Sequence, residues 1–162
     1  MRARSNLVYP IPPAPRTAVL AACFRSKGPV RVFPNGWDEE AARFAPQSVA
    51  GRLEQLEALK GIAIPTHALI VIRNQWEERV SVQARERLWR AFRVPLFEQI
   101  VDEDGTLLAA ECEAHEGLHL ESRRFTAGDH EIDRRLCPCG RSSPRLVAVE
   151  RTVTLRSVAA SG

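Results

Sequence analysis

An uninterrupted apolar run at residues 67–73 (HALIVIR) restricts the possible folds of this chain more than any other segment. Its apolar side chains do not alternate with polar ones, and its centre is rich in β-branched residues. A strand of this composition is typically buried on both faces. The run therefore predicts a central strand of a layered sheet.

Helical patterns lie on both sides of this run. Residues 48–60 repeat apolar side chains at helical spacing, with Ser48 as a candidate N-cap and Gly61 as a terminator. Residues 81–92 do the same, with Ser81 as the candidate N-cap. The order helix, buried strand, helix predicts an α/β fold, a small layered sheet with helices.

Shorter segments predict additional strands and a tight turn. The segments with strand character are residues 17–24, 29–33, 94–99, 106–112, 117–125 and 144–158. The turn lies at residues 102–105 (DEDG), where Gly105 supplies the positive φ that a short reversal requires. We therefore expect an antiparallel pair around this turn.

The composition is that of one soluble globular domain, with 162 residues, 44% of them hydrophobic and 27% charged. Prolines at positions 10, 12, 13 and 15 interrupt the first segment before a long apolar region forms, so it does not resemble a signal peptide. We assign residues 1–16 to a flexible proline-rich arm, residues 17–158 to a single α/β domain and residues 159–162 to a tail.

Charge and hydropathy argue against two classes of function. The net charge is +3, and 23 basic and 20 acidic residues are interleaved, so nucleic-acid binding is not indicated. No segment approaches the roughly 20 apolar residues of a membrane-spanning helix. We expect a cytoplasmic protein whose four cysteines are thiols or metal ligands, not disulfides.

Three cysteines and two histidines are concentrated in one part of the chain. They are Cys112, His115, His119, Cys137 and Cys139. Zinc in structural sites takes four sulfur or nitrogen ligands in a tetrahedron. Cys137 and Cys139 are one residue apart, which suits two ligands of one ion and would strain a disulfide. The pattern predicts a zinc site with Cys112, and spacing leaves His115 and His119 both open as the fourth ligand.

Two other interpretations of these cysteines need no metal. Cys112 fits an apolar filler at the end of a strand, with all three thiols reduced. Alternatively, the Cys137 and Cys139 pair could carry out thiol redox chemistry, because the flanking arginines would lower the thiol pKa values. Those arginines are Arg134, Arg135 and Arg141.

Around these residues the chain resembles the phenylacetate-CoA ligase branch of the acyl-adenylate-forming enzymes. The matching motifs are Glu111-Cys112, Gly117-Leu118-His119 and Cys137-Pro138-Cys139-Gly140-Arg141, followed by Pro144. The resemblance covers residues 45–147 and implies part of the nucleotide-binding subdomain plus a β region held together by zinc. It also implies that His119 is the fourth ligand.

The departures from this family concern the nucleotide site. The family's Tyr-Gly-x-Ser/Thr-Glu motif is replaced by residues 97–103 (FEQIVDE), where only Asp102 or Glu103 falls near the acidic position. Asp129, in residues 125–129 (FTAGD), resembles the family's ribose-binding aspartate. The family's phosphate loop and its C-terminal lysine are not found. Asp102, Glu103 and Asp129 are thus candidate relics of a cofactor site, and ATP or AMP is not an expected cofactor.

The retained ligand set and the lost nucleotide motifs together predict a pseudoenzyme. It would be a non-catalytic, zinc-stabilised domain derived from an acyl-adenylating ligase scaffold, binding another protein or a second copy of itself. The alternative is a nucleotide- or acyl-CoA-binding component of a split ligase. In that case Asp102, Glu103 and Asp129 would take part in binding.

Overall fold

The structure is a computed structural model that describes residues 5–126 and 130–148. Its helices are α1 (Glu39–Phe44), α2 (Leu53–Glu57) and α3 (Val82–Phe92). Its strands are β1 (Thr17–Val19), β2 (Val30–Val32), β3 (Ser48–Gly51), β4 (Ala68–Asn74), β5 (Leu96–Val101), β6 (Leu107–Glu111), β7 (Leu118–Leu120), β8 (His130–Asp133) and β9 (Arg145–Ala148).

The described strands form one sheet in the order β2-β1-β3-β4-β5-β6-β7-β9-β8. From β2 to β5 all neighbours are parallel. From β5 to β8 all neighbours are antiparallel. The α/β prediction is confirmed: helices α1, α2 and α3 connect β2 to β3, β3 to β4 and β4 to β5, whereas turns connect β5 to β6 and β6 to β7.

Strand β4 lies between β3 and β5 and is buried over six of its seven residues. Leu69 and Val71 face a core cluster that includes residues of all three helices, whereas Ile70 and Ile72 face a second cluster on the opposite side of the sheet. The prediction of a strand buried on both faces at residues 67–73 is confirmed, because both faces are covered by apolar side chains.

The second predicted helix is confirmed as α3. The Ser81 hydroxyl accepts a hydrogen bond from the Ala84 N–H at 3.1 Å, and Arg93 ends the helix in the left-handed conformation.

Among the described residues, none of the helices has both the length and the apolar character needed to cross a bilayer.

The first predicted helix, at residues 48–60, is wrong in its first half. Ser48–Gly51 is strand β3, fully buried and paired with both β1 and β4, and only Leu53–Glu57 is helical. Two ladders of sheet hydrogen bonds outweigh the helical spacing of the apolar residues there. Two further elements were not predicted. Helix α1 follows an Asp38 N-cap, and β8 is a four-residue edge strand.

Residues 5–16 lie over the face of the sheet opposite the helices. Leu7, Val8 and Tyr9 pack against the second core cluster. The Tyr9 hydroxyl lies 2.8 Å from the Ser48 hydroxyl, and the Gln99 side-chain amide donates to the Val8 carbonyl. The division into arm, domain and tail stays a prediction, and residues 149–162 lie outside the described part.

Candidate metal centre

Four potential metal ligands come together from three separate segments. Cys112 follows β6 directly, His119 is the middle residue of β7, and Cys137 and Cys139 lie in the loop between β8 and β9. One ligand atom from each residue lies within 4.8 Å of all the others. Cys112, His119 and Cys137 are buried, and Cys139 is half-buried. The cluster could therefore hold a metal ion.

Two of the separations between ligand atoms are close to those around a tetrahedral ion. With Zn–S bonds of about 2.3 Å and Zn–N bonds of about 2.0–2.1 Å, a tetrahedron places two sulfurs about 3.8 Å apart and a sulfur and a nitrogen about 3.6 Å apart. The Cys112 and Cys137 sulfurs are 3.6 Å apart, and the Cys139 sulfur lies 3.3 Å from His119 Nε2. Three sulfurs and one imidazole nitrogen are donors of the kind that zinc accepts.

Sheet pairing brings the first two ligands together. In the β6/β7 ladder, Glu111 pairs with Leu118 and Ala110 pairs with His119, so His119 returns beside Cys112. The chain reverses at Gly117, whose φ is +102°. A β-carbon at Gly117 would lie 2.5 Å from the Leu146 carbonyl oxygen. Glycine at this position thus allows β7 to approach β9.

We expect Gly117→Ala to lower the free energy of unfolding by about 2 kcal/mol or more, since it adds a backbone clash to the cost of a positive φ. Gly61→Ala is the matched control, because Gly61 has φ +76° and open space around its Cα. The control measures the loss in the free energy of unfolding that comes from the positive φ alone, expected at about 1 kcal/mol. Urea unfolding of both variants checks this, and equal losses would rule out the steric contribution.

The loop that carries Cys137 and Cys139 is a compact turn. The Gly140 N–H donates to the Cys137 carbonyl at 2.9 Å, and Gly140 has φ +87°. The Arg141 N–H points to the Cys139 sulfur at 3.5 Å. The turn therefore brings both sulfurs to the same side of the loop, within reach of Cys112 and His119.

Ser143 orients the histidine ligand. His119 Nδ1 lies 3.1 Å from the Ser143 carbonyl oxygen and 2.8 Å from its hydroxyl. Because a carbonyl oxygen only accepts, Nδ1 carries the proton and Nε2 keeps its lone pair toward the three sulfurs. The sequence interpretation missed this role, since nothing in the spacing of Ser143 signals it.

Burial and neighbouring groups shift the ligand pKa values in different directions. Burial raises the pKa of Cys112 to about 12, and the neighbouring thiols of Cys137 and Cys139 add to the increase. Burial also acts to raise the pKa of Cys137, but hydrogen bonds from Cys139 and Cys112 outweigh it and hold that pKa below its ordinary value. Burial lowers the pKa of His119, which favours the neutral imidazole that a metal requires.

His115, the other candidate for the fourth ligand, lies outside the cluster. Its Nδ1 donates to Glu111 Oε1 at 2.8 Å. Its ring stacks on Phe97, with centroids 4.7 Å apart and an angle of 15° between the planes. The described structure thus places His119, and not His115, with the three cysteines.

The candidate relics of a cofactor site are not brought together with the metal cluster. Asp102 Oδ1 accepts from the N–H groups of Asp104 and Thr106, and its Oδ2 pairs with Arg124 at 3.1 Å. These contacts hold the β5/β6 turn. Glu103 is exposed at the tip of that turn, and Asp129 lies outside the described residues. Cofactor binding by these residues stays a prediction.

Comparisons with known proteins place the fold. No protein-family model matches the chain, and no curated protein matches it significantly. Solved structures do match. One of them is the crystal structure of an open conformation of 2-hydroxyisobutyryl-CoA ligase in complex with 2-HIB-AMP and CoA. The identity is 14% and the TM-score 0.55, and the match covers 82% of this chain and 44% of the ligase chain. The chain thus has a fold like part of an acyl-CoA ligase, and it spans less than half of that enzyme's length.

Proposed function

We propose that this chain is a zinc-stabilised, non-catalytic domain built on an acyl-adenylating ligase scaffold, and that it acts as a binding or assembly partner in the cytoplasm. The single observation that carries the proposal is the convergence of Cys112, His119, Cys137 and Cys139 within 4.8 Å. A zinc ion with four protein ligands has no open position for substrate, so it contributes folding free energy and not Lewis-acid chemistry.

The described residues near the nucleotide position support the non-catalytic part of this proposal. Gln99 is fully buried, and its side-chain amide donates a hydrogen bond to the Val8 carbonyl of the arm. The Asp102 carboxylate accepts hydrogen bonds from two N–H groups of its own turn and forms an ion pair with Arg124. Groups that already make these internal contacts would have to break them to receive a nucleotide or Mg²⁺.

The branch of the family and the partner belong to the same proposal. The motifs around Cys112, His119 and Cys137 favour the phenylacetate-CoA ligase branch. A partner role follows from a scaffold whose chemistry has been lost while its metal site and core remain. The partner would be another protein or a second copy of this chain.

Calorimetry tests the proposal with ATP, AMP and an acyl-CoA, each titrated into zinc-loaded protein. We expect one equivalent of zinc in the purified chain by elemental analysis and no heat of binding from the three ligands. Saturable binding of a nucleotide or acyl-CoA would favour the split-ligase alternative. A fully folded, metal-free wild type would contradict the zinc part.

The zinc affinity should rise with pH. The pKa of Cys112 is raised to about 12, so this thiol is protonated at neutral pH in the metal-free protein and must release its proton to bind zinc. Each released proton makes the affinity about tenfold tighter per pH unit. We expect at least this slope between pH 6 and 8 in competition titrations with a chromophoric chelator. An affinity independent of pH would contradict thiolate ligation.

A further inference from the structure

Glu111 joins three elements around the metal centre without being one of the four ligands. It is the last residue of β6 and directly precedes Cys112. Its Oε2 accepts from the Glu98 N–H of β5 at 2.9 Å and pairs with Arg85 of α3 at 3.1 Å. Its Oε1 accepts from His115 Nδ1 at 2.8 Å. One buried carboxylate therefore connects the sheet, the helix layer and the loop that follows Cys112.

The loop between the first two ligands needs this support. The His115 N–H donates to the Cys112 carbonyl at 3.1 Å, which closes a tight turn. His115 has φ +53°, a left-handed conformation that is unfavourable for a residue with a β-carbon. The bond to Glu111 and the stacking on Phe97 hold the His115 ring in place. These contacts fix the direction in which the chain leaves Cys112 and returns at His119.

We propose that Glu111 and Arg85 are positioning residues of the metal centre, and that they couple the α3 surface to metal affinity. The inference rests on the proposed zinc site. Arg85 connects Glu111 to the protein surface, because the Arg85 side chain is 31% exposed whereas that of Glu111 is 6% exposed. By linkage, a contact that improves metal binding is itself strengthened when the metal binds. Zinc should therefore stabilise α3 even though α3 contributes no ligand.

Competition titrations with zinc and Co²⁺ test the coupling on the full chain. Partners that orient ligands are typically worth about ten- to a hundredfold in metal affinity. We expect losses in this range for Glu111→Gln and Arg85→Met, with the Co²⁺ absorption bands of a three-sulfur, one-nitrogen site retained. Arg85→Lys keeps the charge and should recover part of the loss. Arg87→Met is the matched control on the same helix, since Arg87 pairs with Glu57, and it should stay within twofold of the wild type.

A second readout separates positioning from a general loss of stability. Zinc should slow amide hydrogen exchange around residue 85 in the wild type, and this protection should shrink in Arg85→Met while the variant remains folded by circular dichroism. If Glu111→Gln does not fold, the partly exposed Arg85 position carries the test alone. Unchanged affinity in a folded Arg85→Met would overturn this inference and leave the zinc site intact. A wild type without metal affinity would instead overturn the proposed function.

Discussion

Cys112→Ser should abolish zinc binding and lower the free energy of unfolding by about 4 kcal/mol when free zinc is a thousandfold above the wild-type Kd. The serine hydroxyl does not replace a thiolate, and the remaining three ligands leave the tetrahedron incomplete. Removing zinc from the wild type with a chelator should produce a loss of similar size. Urea unfolding followed by circular dichroism, with and without chelator, measures both effects.

Two matched controls make this result specific. Cys23→Ser changes the cysteine outside the cluster, and His115→Ala removes the histidine that the described structure places against Glu111 and Phe97. Both variants should keep one equivalent of zinc, but only Cys23→Ser should keep the wild-type affinity, because the His115 ring contacts Glu111 and helps to fix the loop after Cys112. If Cys23→Ser lost the metal and Cys112→Ser kept it, the ligand assignment would be wrong.

The parallel half of the fold was predictable where local and tertiary preferences agree. The apolar run at β4 and the Ser81-capped α3 needed only local pattern. Strand β3 was not predictable from its own residues, because Ser48–Gly51 is a strand only through its pairing with β1 and β4. Strand β8 exposes both Glu131 and Ile132 and pairs, among the described strands, with β9 alone, so its pattern gives no signal of burial.

The candidate metal centre was predictable as a set of residues but not as a structure. Chemistry selects cysteine and histidine, yet spacing alone could not separate His115 from His119. The difference arises from the β6/β7 register, which returns His119 beside Cys112, and from Glu111, which holds His115 elsewhere. The roles of Ser143 and Glu111 depend on contacts between distant segments, so the sequence contains no local signal for them.

Substitutions in the buried ion pair between Arg73 of β4 and Glu98 of β5 should also change the free energy of unfolding strongly. The side chains are 4% and 2% exposed. Arg85 adds a second contact to Glu98, at 3.0 Å. The guanidinium and the carboxylate both face the helix layer, where water cannot replace a lost partner. Their attraction offsets a desolvation cost that remains if one partner is removed.

We therefore expect Glu98→Gln to lower the free energy of unfolding by about 3–5 kcal/mol, because it leaves the Arg73 charge buried and without its carboxylate. Glu57→Gln is the matched control, since Glu57 pairs with Arg87 at side-chain exposures of 37% and 61%. An exposed pair of this kind contributes about 1 kcal/mol or less. Urea unfolding of both variants at constant zinc measures the difference.

The double variant Arg73→Met, Glu98→Leu shows whether the expected loss in the free energy of unfolding comes from the buried, unpaired charge of Arg73. Removing both charges also removes the uncompensated desolvation, so the double variant should be more stable than Glu98→Gln alone. If the double variant were the less stable of the two, packing around these side chains would outweigh their charges. Equal losses in the free energy of unfolding for Glu98→Gln and Glu57→Gln would contradict the prediction. They would mean that burial does not strengthen the Arg73–Glu98 pair and that Arg73 reaches water once its partner is neutral.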